Sequence, residues 1–326
     1  MRYLITGGAG FIGSHLAERL LAEGDRVVLL DDLSSGTLHN IEHLLASPRV
    51  SFCRGSAQDP QLVAELLSDC DGVFHLAASV GVRQVVEQAR QVFENNLACT
   101  HAVLNAASSQ RKLLVYASSS EVYGKGCGRS FCEDDDLVIG STRVARWGYA
   151  CSKAMGEWLA LAHQRETGMA LWIVRLFNTV GPRQTGRHGM VLPRLVGQAV
   201  RNEPMTVYGD GHQTRCFAHV QDVAKAMATL ARRPQASGQV VNVGNDVEVT
   251  IQALARLVRR LANSSSAILT VPLGEAYPVG FEEIPRRIPD LGRLRRLLGE
   301  VPTTPLADIV GEVVAEHRRG LAIANG

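Results

Sequence analysis

The 326-residue chain has no apolar run long enough to cross a bilayer, and no C-x-x-C pair or His-rich segment that would hold zinc, so no metal is expected. Its seven cysteines (Cys53, Cys70, Cys99, Cys127, Cys132, Cys151, Cys216) are scattered and odd in number, a pattern of reduced thiols in a cytoplasm. Aromatic residues make up only 5% and the formal net charge is only +2, so neither nucleic acid nor an anionic membrane is expected as a partner. A charged-then-apolar leader is also missing, because the first strand pattern starts within two residues of Met1, and secretion is not expected. What remains is 46% hydrophobic and 20% charged, an ordinary globular composition. A chain of this length buries either one large core or two cores sharing a cleft, and two are expected.

Short β-branched and apolar runs ("YLIT", "RVVLLD", "VSFCRG", "GVFHLA", "KLLVYASSS", "LWIVRLFN", "QVVNVG") alternate with segments of helical period. From Ile12 to Ala22, for example, Ile12, Leu16 and Leu20 recur every four residues on one face. Continuous apolar strands joined by helices predict an α/β fold with a parallel sheet covered on both sides. After Asn178 the texture turns to Gly, Pro, Arg and His, which predicts a smaller lobe, with one strand-helix unit near Phe217 to Gly244 returning to the main sheet. No internal repeat is visible, and "EDDD" reads as a solvated loop.

"LITGGAGFIGSH" places Gly7, Gly10 and Gly13 between a strand and a helix. The first glycine permits a tight turn, the second lets backbone approach a pyrophosphate, and the third lets helix pack on strand, with Phe11 and Ile12 opening the helix toward the anion. The second strand ends in Asp31, 24 residues after Gly7, where a carboxylate can accept from both ribose hydroxyls and would repel a 2′-phosphate. NAD is therefore expected, on a Rossmann-type doubly wound parallel sheet with a C-terminal mixed α/β substrate-binding lobe. The expected division is 1–177 with 217–248 for the cofactor and 178–216 with 249–326 for the substrate.

Tyr149 and Lys153 lie four apart in a helical pattern, so they share a face, and the ammonium can stand near the phenol and favour phenolate. An unassisted phenol, titrating near ~10, is a poor base at neutral pH. The glycine turn, Ser119 at the end of the fifth strand and Tyr149-x-x-x-Lys153 together resemble the extended short-chain dehydrogenase/reductase superfamily of nucleotide-sugar epimerases, dehydratases and decarboxylases. The resemblance runs through "RLFNTVGPR", "VYGDGHQTRCF", "HVQDVAKA" and "RRIPD" and covers essentially the whole chain. It implies that His75, Leu76, Ala77 and Ala78 border NAD and that Asn96 lies on the helix beside it. Gly55-Ser56 replaces the Gly-Asp that touches adenine in many relatives. For a UDP-sugar substrate, it implies Asn178, Arg215 and Arg287 at the diphosphate or sugar, and Val191 to Pro193 with Val207 and Tyr208 at the base. Arg183 and Arg187 are left open between ligand contact and surface.

The pair after Ser119 separates reactions within this superfamily, and Ser120-Glu121 resembles the UDP-glucuronate decarboxylases. An Arg-Trp pair shortly before Tyr149 and "GFEEIPRRIPD", which aligns Arg287 with an arginine near the sugar carboxylate, are similar to those enzymes too. UDP-apiose synthase carries cysteines where Ser120 and Val80 stand here, which disfavours ring contraction. The resemblance implies oxidation at sugar carbon 4 with Tyr149 taking the proton, assisted by Ser119 and Lys153, followed by loss of CO2 from carbon 5. Ser120, Glu121 and Arg287 would handle the carboxylate, with Glu121 either protonated or acting by repulsion. The alternative is a UDP-sugar or UDP-uronate 4-epimerase, which "SVGVRQ" after the fourth strand resembles; there Arg83 either meets a carboxylate or, as expected, lies on a solvated helix. A non-catalytic NAD-binding sensor is the third reading. A homodimer through the helices after the fourth and fifth strands is implied by the family.

Overall fold

The computed structural model describes residues 1–126, 128–186, 189–233, 238–277 and 281–324. Cys127 and Arg187 lie outside them, as does the side chain of Arg83. The first part of the chain forms β1 (Arg2–Thr6), α1 (Phe11–Ala22), β2 (Arg26–Asp31), β3 (Val50–Arg54), α2 (Pro60–Ser68), β4 (Gly72–His75), α3 (Val82–Glu87), α4 (Ala89–Ser109), β5 (Leu113–Ser119), α5 (Arg146–Thr167) and β6 (Leu171–Leu176). It continues through β7 (Thr179–Val180), α6 (Val191–Val200), β8 (Met205–Tyr208), β9 (Thr214–Cys216), β10 (Ala218–His219), α7 (Val220–Ala231) and β11 (Gln239–Val243). Last come β12 (Glu248–Thr250), α8 (Ile251–Leu261), β13 (Ile268–Val271), α9 (Leu273–Ala276), β14 (Arg286–Arg287), α10 (Gly292–Leu298) and α11 (Leu306–Ala324).

Among the described residues seven parallel strands form one sheet in the order β11-β6-β5-β4-β1-β2-β3. Alternate side chains feed two apolar layers: Tyr3 and Ile5 of β1 and Trp172 and Val174 of β6 pack on one face, while Leu4, Leu171 and Ile173 pack on the other. Strand order runs outward in opposite directions from β1 and β4, so a crevice opens at their carboxyl ends, where ligands bind in sheets of this kind. A third apolar cluster joins α6, α8 and α11 with β8 beside that crevice.

Two devices set the geometry of the site. The first is the small sheet β12-β9-β14, in which Arg287 pairs in parallel register with Arg215, so two guanidinium-bearing positions become neighbours. The second lies under β5. Glu157 of α5 accepts from Ser118 Oγ at 2.5 Å and from Arg175 Nη2 at 2.7 Å, and all three are buried. This clamp fixes α5 on β5 and β6. Arg183, left open by the sequence, proves to be a brace: its amide donates to Glu316 at 2.7 Å and its guanidinium to Glu18 and Ser14, joining α11 to α1.

Removing one partner of a buried pair leaves an uncompensated charge, so Glu157→Ala is expected to cost about 3–5 kcal/mol in urea unfolding. Exchanging Glu157 and Arg175 together for apolar residues of similar volume is expected to recover most of that loss.

Candidate active site

Gly7 has φ +72°, and a Cβ there would come within 2.9 Å of the Ala77 nitrogen; a Cβ on Gly13 would collide with the Gly7 carbonyl. Only glycine lets strand, turn and helix close this tightly. α1 then starts with no side-chain cap, which leaves its first N–H groups for an anion, and Gly10, Phe11, Ile12 and Gly13 line a cavity of about 540 Å³. Asp31 lines the same cavity. Its Oδ2 accepts from the Ala9 amide at 3.0 Å and its Oδ1 from the Leu33 amide at 2.8 Å, so it also holds the glycine turn. Burial pushes its carboxyl up, against the pull of the Leu33 and Ala9 amides.

Nearby, the lining consists of Asp32, Ser34 and Ser35, with no cation to receive a 2′-phosphate. The glycine cradle, the open helix end and Asp31 fit NAD. Leu76, Ala77 and Ala78 line the wall as the resemblance implies, and Gly55 and Ser56 are there without a carboxylate between them. Asn96 and His75 are not among the lining residues. Asn96 is buried behind the wall, where its Oδ1 accepts from the Ser79 amide at 2.8 Å. His75 bonds Thr6 and Thr100, and burial, reinforced by Lys153, pulls it down to about 3, so it stays neutral. Both residues shape the wall from outside the cavity.

Ser119 ends β5, and its hydroxyl accepts from the Glu121 amide at 3.2 Å, capping the short turn that presents Ser120 and Glu121. Tyr149 stands opposite on α5. Burial raises its phenol above the ordinary range and Glu121 adds to this, while a hydrogen bond with Ser119 and the charge of Arg287 lower it. Lys153 donates to the Ala117 carbonyl at 2.8 Å and lies 5.0 Å over the Tyr116 ring, so β5 holds one of its three donors while it lines the cavity with Tyr149; the charge that lowers the phenol is that of Arg287. Burial brings Lys153 down to about 8.

Glu121 sits between two arginines. Arg287 Nη1 stands 2.7 Å from its Oε1, and Arg146 reaches Oε2 through Nε at 3.2 Å and Oε1 through Nη2 at 3.1 Å. Burial alone would raise the carboxyl, but Arg287 and then Arg146 overcome it and bring it to about 2. Of the two states left open for Glu121, its two arginine partners favour the ionised one. Arg215 pairs with Glu283 at 2.5 Å, and Arg146 lies 3.7 Å from Glu283. Three arginines face two glutamates, and the surplus is one positive charge in a buried pocket.

Asn178 lines the cavity and donates to the Cys216 carbonyl at 2.9 Å; Val191, Leu192 and Tyr208 line it further out. Val207 instead packs in the lobe's core and Pro193 is buried on α6, and neither lines this cavity. Sequence reasoning missed Arg146, Glu283, Arg194, Tyr277 and Phe281, all of which line it. Tyr277 stacks on Phe281 at 3.9 Å and meets Tyr208 edge-on at 5.4 Å, and Arg194 lies 4.0 Å over Tyr208, a wall suited to a flat base. For Arg146 a signal existed: it precedes Tyr149 by three, so it shares the helix face of Tyr149 and Lys153.

The profile described as the NAD dependent epimerase/dehydratase family matches residues 3–244. The chain is 41% identical to a UDP-N-acetyl-alpha-D-glucosaminuronate decarboxylase of Bacillus cytotoxicus, over 91% of each chain. It is 30% identical to UDP-glucuronic acid decarboxylase 1 of Arabidopsis thaliana, over 98% of this chain and 70% of that one. A crystal structure of a UDP-glucuronic acid 4-epimerase mutant from Bacillus cereus, in complex with UDP-4-deoxy-4-fluoro-glucuronic acid and NAD, superimposes with a TM-score of 0.86 at 27% identity, covering 98% of this chain and 99% of that one. With the glycine cradle, Asp31 and the Ser119-Tyr149-Lys153 set in one cavity, the chain belongs to the NAD-dependent epimerase/dehydratase family.

Proposed function

We propose that this protein decarboxylates a UDP-hexuronate through a 4-keto intermediate, with UDP-glucuronate as substrate and UDP-xylose or the UDP-4-keto-pentose as product. The observation that carries this is Glu121, held ionised between Arg146 and Arg287 at the end of β5, beside a surplus positive charge. A carboxylate on sugar carbon 5 is drawn by that surplus and repelled by Glu121, and departure of CO2 relieves the repulsion. A second reading, the 2-acetamido counterpart of the same uronate, is favoured by the name of the Bacillus cytotoxicus relative.

NAD supplies the acceptor and donor of hydride at carbon 4. Tyr149 takes the carbon 4 hydroxyl proton, with Ser119 as its hydrogen-bond partner. Once carbon 4 is a ketone, the bond from carbon 5 to the carboxylate breaks, its electron pair passes into the enolate oxygen, and CO2 leaves. The Ser119 hydroxyl and the protonated Tyr149 hold that oxygen. Carbon 5 takes up one proton, which comes from water; with Glu121 ionised, Ser120, whose hydroxyl accepts from Arg287 Nη1 at 3.3 Å, is the neutral group placed to relay it, giving its own proton and taking one from that water. In this reading residues 1–177 and 217–248 hold NAD, and residues 178–216 and 249–326 hold the UDP-sugar. No helix among the described residues is long and apolar enough to cross a membrane, and action in the cytoplasm belongs to this reading. So does a homodimer through α4 and α5, where Met155, Trp158 and Leu159 stand exposed.

Incubation with UDP-glucuronate is expected to yield a product lighter by CO2 in mass spectrometry. An isobaric product would instead establish the epimerase, and no turnover of any UDP-sugar the sensor. Tyr149→Phe is expected to keep NAD while turnover drops by about 10²–10⁴. Lys153 lines the cavity beside Tyr149, and because burial depresses it, its ammonium is present below about pH 8 and lost above it, so kcat/KM is expected to fall as pH rises through about 8.

A further inference from the structure

The two arginines on Glu121 are bound very differently. Arg146, 4% exposed, has its donors committed: Nε and Nη2 go to Glu121, Nη1 to the Glu282 carbonyl at 2.6 Å. Its guanidinium is packed by Phe281 at 5.0 Å and Trp147 at 5.7 Å. Arg287 reaches Glu121 and Ser120 through Nη1, while its Nε is buried without a partner among the described residues. Burial and the neighbouring charges of Arg215 and Arg146 leave Arg287 depressed to about 10, a cation still short of counter-charge.

Resting on the reading above, we infer that Arg146 is a positioning residue that acts through Glu121: it is the fixed counter-ion that keeps Glu121 charged and in place, so that Arg287 is free to take the substrate carboxylate. A two-point arginine-carboxylate contact in a packed setting resists exchange, whereas the single Arg287 contact does not. The sites of the two cations fit this division. Arg146 stands on α5, anchored through Glu157 to the sheet, while Arg287 sits on the two-residue β14, facing Ser120, Glu121 and Tyr149. The other charged groups around Glu121 are Arg215 on β9 and Glu283 before β14, with the Lys125–Glu282 pair at the rim. Without Arg146 the cluster loses its surplus charge, Glu121 binds Arg287 alone, and uronate and Glu121 compete for one guanidinium.

The test uses NAD-loaded protein and the variants Arg146→Gln and Arg146→Lys, with calorimetric Kd values for UDP-glucuronate and for UDP-glucose, which lacks the carboxylate. Arg146→Gln is expected to weaken UDP-glucuronate by about tenfold or more and UDP-glucose by less than about twofold. Arg146→Lys, which keeps the charge, is expected to recover most of the loss and to report should the glutamine variant not fold. In turnover, Arg146→Gln is expected to keep the NADH absorbance that signals oxidation at carbon 4 and to lose CO2 release progressively as pH falls, because Glu121 then takes up a proton; the parent stays flat there. Equal weakening of both ligands, no change in either, or equal loss of oxidation and CO2 release would overturn the assignment. If the parent releases no CO2 while the Kd ratio still shifts, the decarboxylase reading fails and the role of Arg146 stands.

Discussion

A buried carboxylate stays charged only where cations outweigh the cost of leaving water, and the site is organised around one such carboxylate, Glu121. The elements that meet at it come from distant parts of the chain. β5 and its turn bring Glu121 itself, α5 brings Arg146 and Tyr149, and the small sheet brings Arg215 and Arg287 in register. Two arginines side by side repel each other. Glu121 and Glu283 make the arrangement stable, and the incomplete neutralisation leaves room for one more anion.

The clamp beneath β5 explains how this polar cluster can sit at the edge of an apolar core. Glu157, Arg175 and Ser118 satisfy one another inside the fold and hold α5 at a fixed height on the sheet. Lys153, one turn before Glu157, is thereby kept on the Ala117 carbonyl, and Tyr149, one turn earlier still, faces Ser119. The cofactor end uses the same sheet differently. There close backbone approach matters more than charge, and Asp31 serves as acceptor and as the strut of the glycine turn.

What could be read from the sequence was what depends on local spacing. The glycine turn, Asp31, the parallel strands and the Tyr149-Lys153 pair follow from periods of two and 3.6 residues and from chain order. Spacing put Lys153 on the face of Tyr149 but could not show that its ammonium also reaches the Ala117 carbonyl, because Ala117 lies on another element. Arg146 was visible only as part of an Arg-Trp pair, since its meaning depends on Glu121, 25 residues away, and on Glu282, 136 away. Asn96 and His75 were placed beside the cofactor by the family resemblance alone, and their side chains turn to Ser79, Thr6 and Thr100, contacts between distant elements that spacing does not give.

The central claim is that the substrate carboxylate goes to Arg287 while Glu121 remains on Arg146. A crystal structure with NAD and a UDP-uronate carrying fluorine in place of the 4-hydroxyl tests it directly. The account predicts the uronate carboxylate within hydrogen-bond distance of the Arg287 guanidinium, with both Glu121–Arg146 contacts retained. A carboxylate bound away from Arg287, or Glu121 swung off Arg146 to meet the sugar, would contradict it.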